Sequence, residues 1–313
     1  MQMRKASKNL ERLLLMSDGL TLGVIGETGQ LARAIKRALP ASCQAVFLNR
    51  KQCNLLSDAD KIKGSLEALT NADVIIIAAA YTQVDAAEGD EESAMAVNAI
   101  APAIIAQWAS DAGIPVIHIS TDYVFSGNGK VPYLPHDPVD PINVYGRTKY
   151  EGEKRIRAIQ PRSAILRTSW LYDSQGQNFL MTMLRLAQSR DSLDVVNDQI
   201  GRPTYVGYLA EVILSFAKSM QNGDERFSGV FHVSNGGEPT SWAGFAREIF
   251  KTFAQDLPHK VIVNDVTSDK FPTIARRPAY SVLDISSTEA LLGEALPDWR
   301  EGIKVAKREA DTL

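Results

Sequence analysis

Tyr145 and Lys149 stand four residues apart in NVYGRTKYEGEK, downstream of the strand-like segment IPVIHISTDYVF. Residues i and i+4 share one face of a helix, so an ammonium can lie beside a phenol and favour the phenolate. A tyrosine so placed becomes a proton donor and acceptor near neutral pH. The spacing alone is weak: a second pair, Tyr150 with Lys154, has it too. At roughly 100° per residue the two tyrosines point about 140° apart, so only one of them faces a given pocket. The competing reading of either pair is a surface tyrosine lying along a lysine stem.

Position decides between such readings, so the elements around the pair matter. Residues 20–25 read as a short apolar strand, followed by Gly26-Glu27-Thr28-Gly29-Gln30-Leu31-Ala32 and a helical RAIKRAL that ends at Pro40. Further strands are expected at 45–48, 74–80 and 115–120, with helices at 59–68 and 91–112 between them. Past Tyr145 a helix runs to about residue 159, and a strand follows at 164–170. Beyond it come a helix at 178–188, a short strand at 193–196, a helix at 206–218 and a strand returning to the sheet at 230–234. Strands separated by helices of this length predict an α/β fold: a Rossmann-like, doubly wound parallel sheet with right-handed crossovers. The expected organisation is an N-terminal extension (1–19), a dinucleotide-binding domain (20–167) and a smaller, mainly substrate-binding lobe (168–313).

Gly26 and Gly29 sit in the first strand-to-helix turn, where missing Cβ atoms let backbone approach a pyrophosphate at a helix N-terminus. An ordinary turn would look alike, but its place in the first βα unit favours a cofactor loop; Ala32 stands where a third glycine is usual. Asn49-Arg50 ends the second strand, where an enzyme preferring NAD would carry an acid. A guanidinium there suits a 2′-phosphate, hence NADPH, with NADH as second choice; a solvent-facing loop arginine is the alternative. The third strand leads into Ala78-Ala79-Ala80, small enough for a flat ring to lie on backbone, and then Thr82 and Val84. The fourth ends in Ser120-Thr121, hydroxyls able to donate to a carbonyl gaining charge, or simply to cap a turn.

Composition narrows the class. A chain of 313 residues, 45% hydrophobic, with net charge −3 and scattered basic residues can bury a large core and offers no nucleic-acid footprint. Cys43 and Cys53 form no redox or metal spacing, consistent with reduced thiols in a cytoplasm. The four histidines are far apart, and no catalytic metal is expected. No apolar run reaches the roughly 20 residues a membrane span needs, and residues 1–19 read as an extra helical turn or two, or disorder.

Taken in order, GETGQLA, AAAYTQVDAAE, VNAIAP, HISTDYVFSGNGKVPY, NVYGRTKYEGEK, RTSWLY, NFLMTMLRLA, NDQIGRPTY, ARRPAYSVLD and LPDWREGIK resemble the dTDP-4-dehydrorhamnose reductase family of extended short-chain dehydrogenases/reductases, from Leu20 to about Val305. The resemblance implies NADPH-dependent reduction of the C4 keto group of dTDP-4-dehydro-L-rhamnose, or of a related dTDP-4-keto-6-deoxysugar, by a monomer or homodimer. It implies a catalytic triad of Thr121, Tyr145 and Lys149, which selects Tyr145 over Tyr150. Cofactor contacts would fall on Gly26, Thr28, Gly29, Gln30, Leu31, Asn49, Arg50, Ala78, Ala79 and Ala80 along with Tyr145 and Lys149. Thr82, Val84, Thr121, Tyr123 and Trp170 would line the sugar and nucleotide pocket, with Asn178, Arg202, Arg276 and Arg277 holding the nucleotide. Two positions depart from the family: Ile77 replaces a common Asn, and Ala34 with a lone Asp191 replaces acids that hold magnesium in some members, so no magnesium is expected. A rival resemblance is the methionine adenosyltransferase β subunit, a non-catalytic NADP-binding relative. An eroded triad would mark it, and the triad here is complete.

Overall fold

The protein is described by a computed structural model covering residues 19–312. The expected extension therefore lies, apart from Gly19, outside the described residues. The first half alternates strand and helix: β1 (Thr21–Ile25), α1 (Gln30–Ala38), β2 (Gln44–Leu48), α2 (Ala59–Leu66), β3 (Val74–Ile77), α3 (Val84–Gly89) and α4 (Glu91–Met95). A π-helical turn, Ala96–Ile100, joins α4 to α5 (Ala101–Asp111), and β4 (Val116–Thr121), α6 (Val144–Ile159) and β5 (Ser163–Thr168) follow. The second half holds β6 (Leu171–Tyr172), α7 (Phe179–Ala187), β7 (Ser192–Val196), β8 (Ile200–Gly201), β9 (Thr204–Tyr205), α8 (Val206–Gln221) and β10 (Gly229–His232). It closes with β11 (Thr240–Ser241), α9 (Trp242–Thr252), β12 (Ile262–Val266), α10 (Ser286–Leu292) and α11 (Trp299–Ala310).

Six strands form one wholly parallel sheet in the order β2-β1-β3-β4-β5-β10. The order reverses between β1 and β3, which opens a crevice at the carboxyl ends of the strands where ligands bind in this architecture. Burial explains the sequence pattern: β3, Val-Ile-Ile-Ile, is buried throughout, as a strand covered on both faces must be. Leu22, Val24, Ile35, Ile213 and Phe216 pack α1 and α8 on one face. Ile62, Leu66, Ile105, Ile156 and Ile165 pack α2, α5 and α6 on the other. A separate apolar cluster, with Tyr172, Leu180, Phe245, Ile249, Trp299 and Ile303, gives the later segments a core of their own.

Two differences from the expected elements fall at the crevice. The third strand stops at Ile77, releasing Ala78–Ala80 as irregular backbone, and the fifth stops at Thr168 rather than 170. Trp170 follows with φ of 48°, a left-handed conformation unusual for a large side chain and incompatible with a continuing strand. The expected helix 91–112 is interrupted by its π turn. At that turn α6 meets the backbone directly, since a Cβ on Gly152 would lie 2.1 Å from the Asn98 carbonyl oxygen. The first helix begins at Gln30, three residues before RAIKRAL, and β12 adds a strand to a C-terminal stretch read from sequence as Pro-rich loops and short helices. Among the described residues no helix is long and apolar enough to cross a membrane.

Candidate functional site

The crevice is a cleft of about 1040 Å³, lined by β1, β3 and β4 ends, the first turns of α1 and α6, and the loop around Trp170. Gly26, Thr28, Gly29, Gln30 and Leu31 form one wall. Gly26 has φ of 113°, and a Cβ there would stand 2.8 Å from the Ala79 backbone nitrogen. Only glycine lets the first loop lie this close to the end of β3. Gly29 caps α1 without any side-chain hydrogen bond, and no acid occupies the first turn. The free N–H groups of that helix end thus face the cleft with nothing negative competing for them, which fits a pyrophosphate.

Asn49, Arg50, Ala78, Ala79 and Ala80 also line the cleft. Asn49 folds the turn after β2, accepting from the backbone N–H groups of Lys51 and Gln52 and donating to Glu27 at 3.0 Å. Arg50 is exposed and makes no ion pair among the described residues, so its guanidinium is available to a ligand.

Thr121, Tyr145 and Lys149 converge at the centre of the same cleft. Strand β4 delivers Thr121 at its last residue, and α6, capped by Asn143 on the Gly146 N–H at 2.8 Å, delivers Tyr145 and Lys149 on one face. Tyr150 and Lys154 face elsewhere: Tyr150 packs beside Phe125 and Leu283, with the Lys154 ammonium 5.4 Å from its ring centre. The Tyr145 phenol faces Thr121, whose single hydroxyl proton is donated to the Asp122 carboxylate at 3.0 Å. Burial pushes the Tyr145 phenol up to about 12, the Thr121 hydrogen bond works against that, and the charge of Asp122 adds to it. Lys149 is not among the groups that shift this phenol in the free protein. The reason is geometric: Lys149 Nζ turns toward the sheet, donating to the Ile119 carbonyl at 2.6 Å and lying 3.0 Å from His118 Nε2. Burial brings the Lys149 ammonium down to about 8, with Glu153 opposing. Asp122 is raised to about 6 by burial, against hydrogen bonds from Ser281 and Thr121.

Thr82, Val84, Tyr123 and Trp170 line the cleft beyond this centre. Tyr123 packs edge-on against Tyr145, with ring centres 5.8 Å apart. Trp170 lies flat on Trp242, ring centres 3.6 Å apart. The remaining four positions do not line it. Asn178 caps α7, accepting from the Met181 N–H and donating to the Asp173 and Gln175 carbonyls. Arg202 is buried and donates to the Leu283 carbonyl at 3.1 Å. Arg277 forks onto Asp85 at 2.6 and 3.1 Å, pinning its loop to α3 just past Val84, while neighbouring Arg276 is exposed. Ala34 is buried between α1 and α8, Asp191 is exposed, and no cluster of three metal-ligating side chains occurs among the described residues.

Two residues not singled out by sequence organise the centre. Asn98, in the π turn, accepts from the Tyr81 N–H at 2.9 Å and donates to the Tyr81 carbonyl and Thr148 Oγ1, tying the β3 loop to α6. Its signal was an amide inside the otherwise apolar VNAIAP. The second is His118, the neighbour of Lys149.

The chain matches the family described as RmlD substrate binding domain over residues 20–311. It is 39% identical over 286 residues to a dTDP-4-dehydrorhamnose reductase of Sinorhizobium fredii, covering 91% of this chain and 96% of the relative. To the Escherichia coli protein of that name it is 36% identical over 285 residues, 90% of this chain and 95% of the relative. Among solved structures, a dTDP-4-dehydrorhamnose reductase of Clostridium acetobutylicum superposes with a TM-score of 0.85 at 34% identity, covering 93% of this chain and 100% of that one. The one of Bacillus anthracis, in complex with NADP, gives 0.84 at 33% identity, covering 93% and 99%.

Proposed function

Because this chain belongs to the RmlD substrate binding domain family, together with dTDP-4-dehydrorhamnose reductases, we propose that it catalyses the NADPH-dependent reduction of dTDP-4-dehydro-L-rhamnose to dTDP-L-rhamnose in the cytoplasm. The observation that carries this reading is the meeting of the Thr121 hydroxyl, the Tyr145 phenol and the Lys149 ammonium in the cleft that also holds the glycine loop. When bound, NADPH supplies the hydride that reduces C4. The residues of the chain supply the rest. Thr121 Oγ1, turning its one proton from Asp122 to the C4 oxygen, stabilises charge developing there. Tyr145, kept protonated by its burial, passes the Oη proton to that oxygen, so that ketone, hydride and proton together give the alcohol. Lys149 places a positive charge in the cleft wall, favouring the phenolate that remains. Gly26, Gly29 and the first turn of α1 hold the pyrophosphate, and Arg50 the 2′-phosphate. Thr82, Val84, Tyr123 and Trp170 receive the sugar.

The test is oxidation of NADPH by the purified chain with dTDP-4-dehydro-L-rhamnose, with the sugar product identified by mass and chromatography. No turnover despite NADPH binding sinks the reading. For the cofactor, Arg50→Ala is expected to weaken NADPH binding about tenfold or more, the scale of one charge-assisted hydrogen bond, and to leave NADH binding unchanged. Equal NADPH affinity in titrations of the two proteins removes Arg50 from the 2′-phosphate site.

A further inference from the structure

We propose that His118 is a positioning residue of the reduction, an acceptor that fixes the Lys149 ammonium in the cleft wall and keeps it charged; the proposal rests on the reductase reading above. His118 lies in the middle of β4, paired in register with Ile77 on one side and Ile165 on the other. It is wholly buried. A central strand covered on both faces asks for an aliphatic side chain there, and an imidazole costs desolvation unless a hydrogen bond compensates it. Its Nδ1 has no partner among the described residues, and its Nε2 has Lys149 Nζ at 3.0 Å.

Counting donors shows what this contact does. The ammonium has three N–H groups. The Ile119 carbonyl takes one at 2.6 Å and His118 Nε2 takes a second, leaving the third for the cleft that Lys149 lines. For His118 to accept at Nε2 it must be neutral, and burial, reinforced by the Lys149 charge, holds its pKa well below the ordinary value. The other groups around Lys149 do not replace this contact. Glu153, one turn along α6, raises the Lys149 pKa through space but is itself bonded to Ser120 on β4 and Arg167 on β5. Tyr145, one turn back, is a neutral phenol. The Arg167 guanidinium lies beyond Glu153 and pairs with it.

Removing the acceptor destabilises the ammonium relative to the amine, so the Lys149 pKa falls from its already lowered value of about 8. Turnover that needs the charged form is then lost at a lower pH. The test measures kcat against pH, NADPH affinity and thermal melting for wild type, His118→Leu and His118→Gln. In His118→Leu the alkaline limb of kcat is expected to move down by about one to two pH units, the equivalent of one hydrogen bond to a charged group. His118→Gln, whose amide oxygen can accept, is expected to keep the limb near its wild-type position. A role in core packing alone lowers the melting temperature and leaves the limb in place; that result in His118→Leu overturns the proposal, as does a limb displaced equally in His118→Gln. Should His118→Leu not fold, His118→Met, similar in volume to the imidazole, carries the same expectation. Wild-type turnover tests the reductase reading separately, so the two failures are distinguishable.

Discussion

Replacing Tyr145 with Phe is expected to lower kcat for NADPH-dependent reduction by about two to four orders of magnitude, the usual contribution of a positioned general acid. NADPH affinity and the melting temperature should barely change. The asymmetry follows from what the hydroxyl touches. The ring packs beside Ala87, Ala94 and Val144 and edge-on against Tyr123, contacts that phenylalanine retains. The Oη faces Thr121, whose oxygen is held by the Tyr123 N–H at 3.1 Å, so little of the wall depends on it. What is lost is a proton at the C4 oxygen as hydride arrives. Single-turnover rates at saturating NADPH measure this directly; a loss of less than tenfold would show that another group donates the proton. The corresponding Tyr150→Phe substitution, removing a hydroxyl from a ring packed outside the cleft, should leave kcat unchanged.

That contrast also marks how far the sequence could be read. The βαβ order, the glycine loop and the Tyr145–Lys149 face were legible because each follows from local periodicity: buried strands of Val and Ile, a glycine-rich turn, and i, i+4 spacing on one helix. The strand ends at the cleft were overrun because Ala78–Ala80 and Trp170 are apolar, and an apolar run carries no mark of where its backbone leaves the ladder. Only tertiary contacts, such as the stack of Trp170 on Trp242, hold the positive φ at that position. The roles of Asn98, visible only as an amide in an apolar run, and of His118 were hidden for a related reason. Their roles lie in what faces them across the fold, Thr148 fifty positions away and Lys149 thirty-one positions away, and no local pattern encodes such pairings. The same holds for Asn178, Arg202 and Arg277: their residue types suit a diphosphate, yet the described structure gives each an intramolecular partner.

Breaking the ion pair behind Lys149 should be the most destabilising change to the site. Glu153 and Arg167 are each about 3% exposed, and Arg167 grips both carboxylate oxygens through Nε and through Nη2 at 2.7 Å. Ser120 donates to the same carboxylate, and the guanidinium also donates to the Pro135 carbonyl while lying 5.2 Å from the Phe125 ring centre. Glu153→Leu strands a buried guanidinium with no countercharge, and chemical denaturation is expected to show a loss of about 3–5 kcal/mol. Removing both charges, in Glu153→Leu with Arg167→Met, should restore most of that loss, because the large cost belongs to the unpaired charge and not to the absence of the pair. A double variant as unstable as the single would show instead that shape or the Ser120 contact governs this region. The pair has a second consequence that stability alone does not reveal. Glu153 is the charge that offsets the burial of Lys149, so its loss lowers the Lys149 pKa further in both variants. The double variant is therefore expected to fold nearly as well as wild type and yet lose turnover at a lower pH, separating what the pair does for the fold from what it does for the ammonium.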